Sequence, residues 1–319
     1  MMELEIAIDA PDSCCAVVGA DGFLGRALVS RLKSLGVPAL TFTRGNPVLS
    51  GVDLKIPADV KTVFWLASSI TPSVAEVDPD AVDEDVQAFR SFLNALSRKG
   101  SQGKQPRVII IGSGGTVYSP SSVPPYSEMA PLHYGTAYAA AKLRLEQVLQ
   151  SCYGGPHVIL RAANVYGPGQ LPKRGQGVIA HWMDAIVRHQ PISVFGNKNS
   201  TRDYLYIEDA VSAMVKVAHI DPALPLPSVI NVGSGRPCSL MELAMAVLAA
   251  TGSTATSLVF APGRFFDTDH NYLNVERAAT MIGWRPETTL EAGLKNTWAW
   301  HNESPCATDV STLSARARR

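Results

Sequence analysis

The chain predicts an α/β fold: a doubly wound parallel sheet with a smaller C-terminal lobe. Three observations carry that prediction. Short apolar runs alternate with helical stretches through the first half, the pattern of a parallel sheet covered by helices on both faces. The first apolar run leads straight into a glycine-spaced turn and a helix. From Tyr166 the texture changes: Gly167, Pro168, Gly169, Pro172, Gly175 and Gly177 crowd one stretch, so the chain leaves the sheet there.

Residues 14–18 form a continuous small-apolar run and read as the first strand, followed by a helical pattern over 23–35. Strands are expected at 39–43, 62–67, 107–111 and 157–161, with helices at 86–96 and 138–149. Asp83-Glu84-Asp85 reads as a solvated helix start. Beyond the glycine-rich stretch, helices are expected at 179–188 and 240–250 among short strands. The sheet domain is accordingly assigned to 12–165 and 203–232, the second lobe to 166–202 and 233–302. Residues 303–319, rich in Ser, Thr, Ala and Arg, read as a flexible tail.

Composition narrows the class. With 319 residues, 46% hydrophobic and 18% charged, the chain is globular in character. Lysine plus arginine (28) balances aspartate plus glutamate (28), so no net field draws nucleic acid or an anionic membrane, and neither is expected as a partner. No apolar run reaches the ~20 residues of a membrane span; the longest, 240–250, is interrupted by Glu242. Residues 1–11 carry Glu3, Glu5 and Asp9, where a secretory signal would be basic and then apolar. The five cysteines, Cys14, Cys15, Cys152, Cys238 and Cys306, show neither C-x-x-C spacing nor a disulfide framework. Cys14 and Cys15 read as small buried hydrophobes. A cytoplasmic location is expected. The seven histidines form no ligand cluster, so no metal is expected.

Gly19-Ala20-Asp21-Gly22-Phe23-Leu24-Gly25 is a G-x-x-G-x-x-G motif between a strand and a helix, the context such a motif requires. Gly19 permits the turn, Gly22 lets a pyrophosphate approach, and Gly25 allows helix and strand to touch. A dinucleotide diphosphate is expected on the free N–H groups around Asp21, Phe23 and Leu24 at the helix start. Leu66 and Ala67, ending the third strand run, are expected to flank the same crevice. NAD sites usually place an acidic residue after the second strand, to hold the adenosine ribose. Here the chain reads Phe42-Thr43-Arg44. Thr43 removes the carboxylate that would repel a 2′-phosphate, and Arg44 could pair with one. The alternatives are that Arg44 stacks on adenine or lies in solvent. NAD is the expected cofactor, and NADP is admitted.

Tyr138-Ala139-Ala140-Ala141-Lys142 puts a phenol and an ammonium at i and i+4, on one helix face. The alanine spacer keeps that face slim. A neighbouring ammonium favours the phenolate, so Tyr138 could take or return a hydroxyl proton while hydride moves to or from a nicotinamide. Lys142 would also reach the nicotinamide ribose. Tyr-x-x-x-Lys also occurs on ordinary surface helices; following a strand-borne glycine turn, it points to chemistry.

These motifs carry a resemblance. Gly19–Gly25, the run from Ile111 to Tyr118, Tyr138–Lys142, Arg161 to Pro168, Thr201 to Asp209, Asn231 to Gly235 and Gly283 to Pro286 together resemble the extended short-chain dehydrogenase/reductases of the NAD-dependent epimerase/dehydratase family. The likeness runs nearly end to end and is nearest to the UDP-hexose 4-epimerase-like members. It implies a Rossmann domain, a Ser/Thr–Tyr–Lys catalytic group, a bound nicotinamide dinucleotide and a homodimer packed through two long helices. In the common pattern the catalytic hydroxyl sits three residues before Val117, where this chain has Gly114. Thr116 is the preferred stand-in, with Ser113 left open as donor or loop serine.

The resemblance also implies the substrate end. Asn164 would hold the sugar or its first phosphate, with Val178 and Ile179 following and Tyr204 nearby. Arg202 and Arg264 match two arginines that clamp a diphosphate, and Asp267 matches a ribose-binding carboxylate. Residues 192–195 fit the wall under a uracil. An Arg202–Asp203 ion pair and an Arg264–Asp267 pair across a turn are the structural alternatives. Asn271 stands where hexose-restricted epimerases often carry tyrosine, so room for a 2-acetamido group is expected. The implied activity is a 4-epimerase on a UDP-hexose or UDP-N-acetylhexosamine, working through a transient 4-keto sugar. The alternative is an NAD(P)H-dependent reductase of a nucleotide-linked 4-keto sugar, which Thr43-Arg44 favours. Dehydratase relatives place Asp-Glu where this chain has Gly115-Thr116, and a non-catalytic scaffold finds support only in Gly114.

Overall fold

The structure is a computed structural model and describes residues 14–100, 105–173, 175–263 and 269–303. Six strands, β1 (Cys14–Val18), β2 (Ala39–Phe42), β3 (Val60–Trp65), β4 (Arg107–Ser113), β5 (His157–Ala162) and β6 (Val229–Val232), form one sheet. Their order is β6-β5-β4-β3-β1-β2, and every pairing is parallel. A Rossmann-like α/β fold results.

The apolar runs are continuous because both sheet faces are covered. Alternation along each strand then splits the side chains between two cores. Val17, Phe64, Ile109 and Val158 enter one core; Ala16, Val63, Val108 and Ile159 enter the other. Helix α1 (Phe23–Ser34) and helix α4 (Ile207–His219) close the first core with Leu28, Leu32, Met214 and Val217. Helix α2 (Pro79–Gly100) and helix α3 (Ala137–Cys152) close the second with Phe89, Phe92, Leu145 and Leu149.

Three expectations need correction. Strand β3 spans 60–65 rather than 62–67, and Leu66 and Ala67 lie just past its end. Helix α2 starts well before residue 86: Pro79 suits a first helical position, and Val82 already sits in the core. Asp83-Glu84-Asp85 is therefore helix interior, and Asp85 is not a solvated cap. Its carboxylate accepts hydrogen bonds from Ser68 Oγ at 2.6 Å, Ser69 Oγ at 3.0 Å and Ser69 N at 3.2 Å. Of the two adjacent cysteines, Cys15 is buried and burial pushes its thiol up to about 12, while Cys14 is half-buried.

Outside the six-stranded sheet lie short sheets and three longer helices, and their apolar residues join the first core. Thr201–Arg202 is flanked by Cys238–Ser239 and His270–Asn271. Ile192–Phe195 pairs with Leu258–Ala261, and Asn164–Tyr166 with Tyr204–Tyr206. The helices are Val178–Val187, Leu240–Thr251 and Leu290–Glu303. The expected tail falls, from residue 304, outside the described residues. No described helix is long and apolar enough to cross a membrane.

His301, on the last of these helices, is 6% exposed and its ring is near those of Trp298 and Trp300, with centroids 6.4 and 5.7 Å away. Neither ring nitrogen has a hydrogen-bond partner among the described residues. Burial lowers its proton affinity from the ordinary 6.5, against the opposing pull of Asp184. The unfolded chain then binds the proton more tightly, so this contribution to stability is whole above about pH 6.5 and is lost as pH falls below it. The melting temperature is expected to drop between about pH 7 and pH 5.5, with a shallower drop in His301→Phe. Equal slopes in wild type and variant would contradict this.

Candidate active site

Because the six strands are parallel, their C-terminal ends share one edge of the sheet. The chain goes from β1 to β2 on one side and returns to β3 on the other, which opens a crevice beyond the strand ends. At that point Gly19 has φ +89°. Its N–H and that of Ala20 donate to Phe42 O at 2.9 and 3.1 Å, and Leu66 N donates to Val18 O at 2.8 Å. A Cβ on Gly19 would lie 2.6 Å from Ala67 N, and one on Gly25 would lie 2.1 Å from Gly19 O. Only hydrogen fits at either position.

Helix α1 begins at Phe23 with Gly22 as its cap, with no side-chain cap bond and no acidic residue in its first turn. Its leading N–H groups therefore lack intrahelical acceptors. Bare glycine backbone and an uncapped helix start fit a dinucleotide diphosphate. Arg26, which the sequence reading passed over, spans the site: its guanidinium donates to Asp21 O and, at 3.1 Å, to Gly169 O. At the end of β2, Thr43 closes a turn with Asn46, donating to Asn46 O at 3.0 Å and accepting from Asn46 N at Oγ1, 3.2 Å. Arg44 is exposed, and no described residue pairs with it.

Helix α3 is capped by Thr136, whose Oγ1 accepts from Ala139 N at 3.1 Å. The cap places Tyr138 in the first turn. Tyr138 and Lys142 are both half-buried, with Lys142 Nζ 5.6 Å from the Tyr138 ring centroid. Lys142 also borders a crevice with Ser68 and Asp85.

Strand β4 ends at Ser113, and Thr116 Oγ1 donates to Ser113 Oγ at 2.8 Å. The two hydroxyls are one unit rather than rivals. Gly114 is not an empty version of the usual position: a Cβ there would meet Leu273 Cδ1 at 2.5 Å and Arg161 O at 3.1 Å. Leu273 occupies the space.

The substrate-end residues divide. Asn164 is exposed beside Gly115, and its Nδ2 donates to Asp203 O at 2.9 Å. Arg202 is half-buried and donates to Thr201 O at 2.9 Å. Asp203 is buried and accepts from Ser234 N, Ser234 Oγ, Gly235 N and Leu273 N. It thereby ties together three loops at the sheet edge. Val178 opens its helix half-buried, whereas Ile179 is core. Tyr204 is core as well, and burial pushes its phenol well above its ordinary value. In Ile192–Phe195 the Ile192 and Val194 side chains point into the core and Phe195 is 60% exposed. Asn271, the residue behind the acetamido expectation, is engaged in the structure. It is 2% exposed and its amide donates to Gly115 O at 3.0 Å, so it braces the loop after β4. Arg264 and Asp267 lie outside the described residues.

Comparison with known proteins follows the same lines. The sequence profile described as NAD dependent epimerase/dehydratase family matches residues 15–233. Relatives include the UDP-glucose 4-epimerase of Mycolicibacterium smegmatis, 29% identical over 309 residues covering 88% of this chain and 96% of that protein. The dTDP-4-dehydro-6-deoxyglucose reductase of Escherichia coli is 27% identical over 316 residues, covering 90% and 97%. Among solved structures, the Thermotoga maritima UDP-glucose 4-epimerase with UDP-glucose matches with a TM-score of 0.77 at 25% identity, covering 91% of this chain and 99% of that one.

Filling Gly114 should therefore not restore a missing catalyst. Gly114→Ser is expected to cost about 1–3 kcal/mol of stability, the usual range for overpacking, with no gain in turnover. Unchanged stability with faster turnover, by thermal melts and steady-state assay, would show the position to be open.

Proposed function

The chain belongs to the NAD dependent epimerase/dehydratase family, and within it we propose a nucleotide-sugar 4-epimerase acting on a UDP-hexose. What supports this is the glycine turn after β1, the Tyr138–Lys142 pair at the start of α3 and the Ser113–Thr116 hydroxyls at the end of β4. Both UDP-glucose 4-epimerase relatives described above align over most of the chain. A UDP-N-acetylhexosamine is the other substrate of this reading, on the small side chain of Asn271. Packing as a homodimer through α2 and α3, in the cytoplasm, belongs to the same proposal.

The bound dinucleotide supplies a hydride acceptor and then a hydride donor. Tyr138 takes the C4 hydroxyl proton and later returns it, and Lys142 above its ring stabilises the negative charge in between. Ser113 Oγ accepts a hydrogen bond from the Thr116 hydroxyl, which leaves the Ser113 O–H free to donate to the sugar oxygen. Ser113 is thus the direct donor and Thr116 its support. For C4 to be inverted, the site must let the 4-keto sugar turn between removal and return of the proton by Tyr138. Protons and electrons balance within one cycle.

A second reading is a reductase of a nucleotide-linked 4-keto sugar using NADPH. It is favoured by the exposed Arg44 beside the adenosine end of the crevice and by the Escherichia coli reductase relative.

Identification of the nucleotide released on denaturing the purified protein separates the two. Near-stoichiometric NAD is expected. An empty site that takes up NADPH, and loses that affinity in Arg44→Ala, would instead establish the reductase. Tyr138→Phe is expected to lower kcat on the order of 100- to 10,000-fold while retaining the dinucleotide; unchanged turnover would remove Tyr138 from the mechanism.

A further inference from the structure

Tyr138, Lys142 and Glu146 occupy i, i+4 and i+8 of α3 and form one slowly winding stripe. The first two belong to the proposed chemistry. Glu146 does not, yet it is the most constrained of the three. Its carboxylate is 4% exposed and so is the Arg161 side chain opposite, on β5. Arg161 Nη2 donates to Glu146 Oε2 at 2.7 Å, and Nε donates to Oε1 and Oε2 at 3.1 and 3.2 Å. Arg161 Nη1 donates at 3.2 Å to the Tyr118 hydroxyl, which donates in turn to Asn231 Oδ1 on β6. Asn231 Nδ2 finishes on Tyr126 O at 2.9 Å. One polar chain thus runs from α3 through β5 to β6 directly behind the catalytic edge.

Its location is informative. A Cβ on Gly112 would lie 2.6 Å from Glu146 Oε1 and 3.2 Å from Arg161 Cγ, so that glycine is bare where the ion pair passes. Gly112 is the residue before Ser113. On the far side of Ser113, Arg161 O stands 3.1 Å from the Cβ position of Gly114. The pair therefore packs against the backbone immediately before the proposed hydroxyl donor, and the main chain of Arg161 lines the other side. Stability alone does not call for this arrangement, because well-packed apolar residues hold a helix on a sheet as well as a buried ion pair does. What apolar residues do not impose is a single roll and slide of the helix. A bidentate guanidinium–carboxylate fork does.

We propose that Glu146 and Arg161 are positioning residues, whose fork sets the roll and axial register of α3 against β4 and β5 and hence the approach of Tyr138 and Lys142 to Ser113. The proposal rests on the reading of those three groups as the catalytic set.

The test compares wild type, Tyr138→Phe, Arg161→Lys, and the double variant Glu146→Leu with Arg161→Met. Steady-state kinetics use UDP-glucose, UDP-galactose and UDP-GlcNAc as probes, with melting temperature and dinucleotide content measured alongside. The double variant should keep its melting temperature and dinucleotide while kcat falls on the order of 10- to 100-fold with KM little changed. Arg161→Lys, which keeps the charge but not the fork, should show the same split and decides the matter if the double variant does not fold. A folded double variant with wild-type kcat overturns the proposal, as does a kcat loss that only tracks lost stability or lost dinucleotide in both variants. Wild type inert on all three sugars, or Tyr138→Phe fully active, overturns the functional reading and the inference with it. An inactive Tyr138→Phe beside a fully active double variant confines the failure to the positioning role.

Discussion

The contact on which the rest of this molecule depends is the close approach of backbone to backbone at the Gly19–Gly25 turn. The start of α1, the end of β1 and the end of β3 converge until a Cβ at Gly19 or Gly25 would overlap main-chain atoms. That approach leaves the first N–H groups of α1 uncapped and directed out of the sheet edge, which is what an anionic diphosphate requires. It also sets the distance from the crevice to β4, whose C-terminal residue is Ser113.

The C-terminal edge of the sheet is then braced by polar groups removed from solvent. Asp203 gathers the Ser234 and Leu273 loops, Asn271 holds Gly115 O, and Glu146 pairs with Arg161 beneath Ser113. Breaking one partner of a buried pair of this kind costs about 3–5 kcal/mol. Burial opposes the Arg161 charge, but Glu146 and the Tyr118 hydroxyl outweigh it and hold the guanidinium ionised. Such groups have one good geometry, whereas apolar packing has many near-equivalents. The site is precise where precision is needed and ordinary core elsewhere.

Much of this was legible in the sequence because it is written in short spacings. The glycine turn declares itself through three glycines between an apolar run and a helix, and Tyr138 and Lys142 share a face by being one turn apart. What escaped depends on contacts distant in the chain. Gly114 looked like a lost hydroxyl, because nothing near it announces that Leu273 fills the space. The bond from Asn271 to Gly115 O joins residues 156 positions apart and has no signature in the local sequence. Asp85 sat in an acidic run suggestive of solvent, yet it binds the Ser68–Ser69 loop beside Lys142. Arg161 opened a recognisable motif without revealing its partner, fifteen residues earlier on the opposite element.

The central claim is that a sugar carbinol and a nicotinamide exchange hydride at the edge occupied by Tyr138, Lys142 and Ser113. Single-turnover absorbance at 340 nm, with enzyme-bound NAD mixed rapidly against UDP-glucose or UDP-galactose, addresses it directly. The expected result is a transient rise that decays as the epimer forms, with deuterium placed at C4 of the sugar still at C4 of the product. Formation of product with no absorbance change, or with the label washed into solvent, would contradict it.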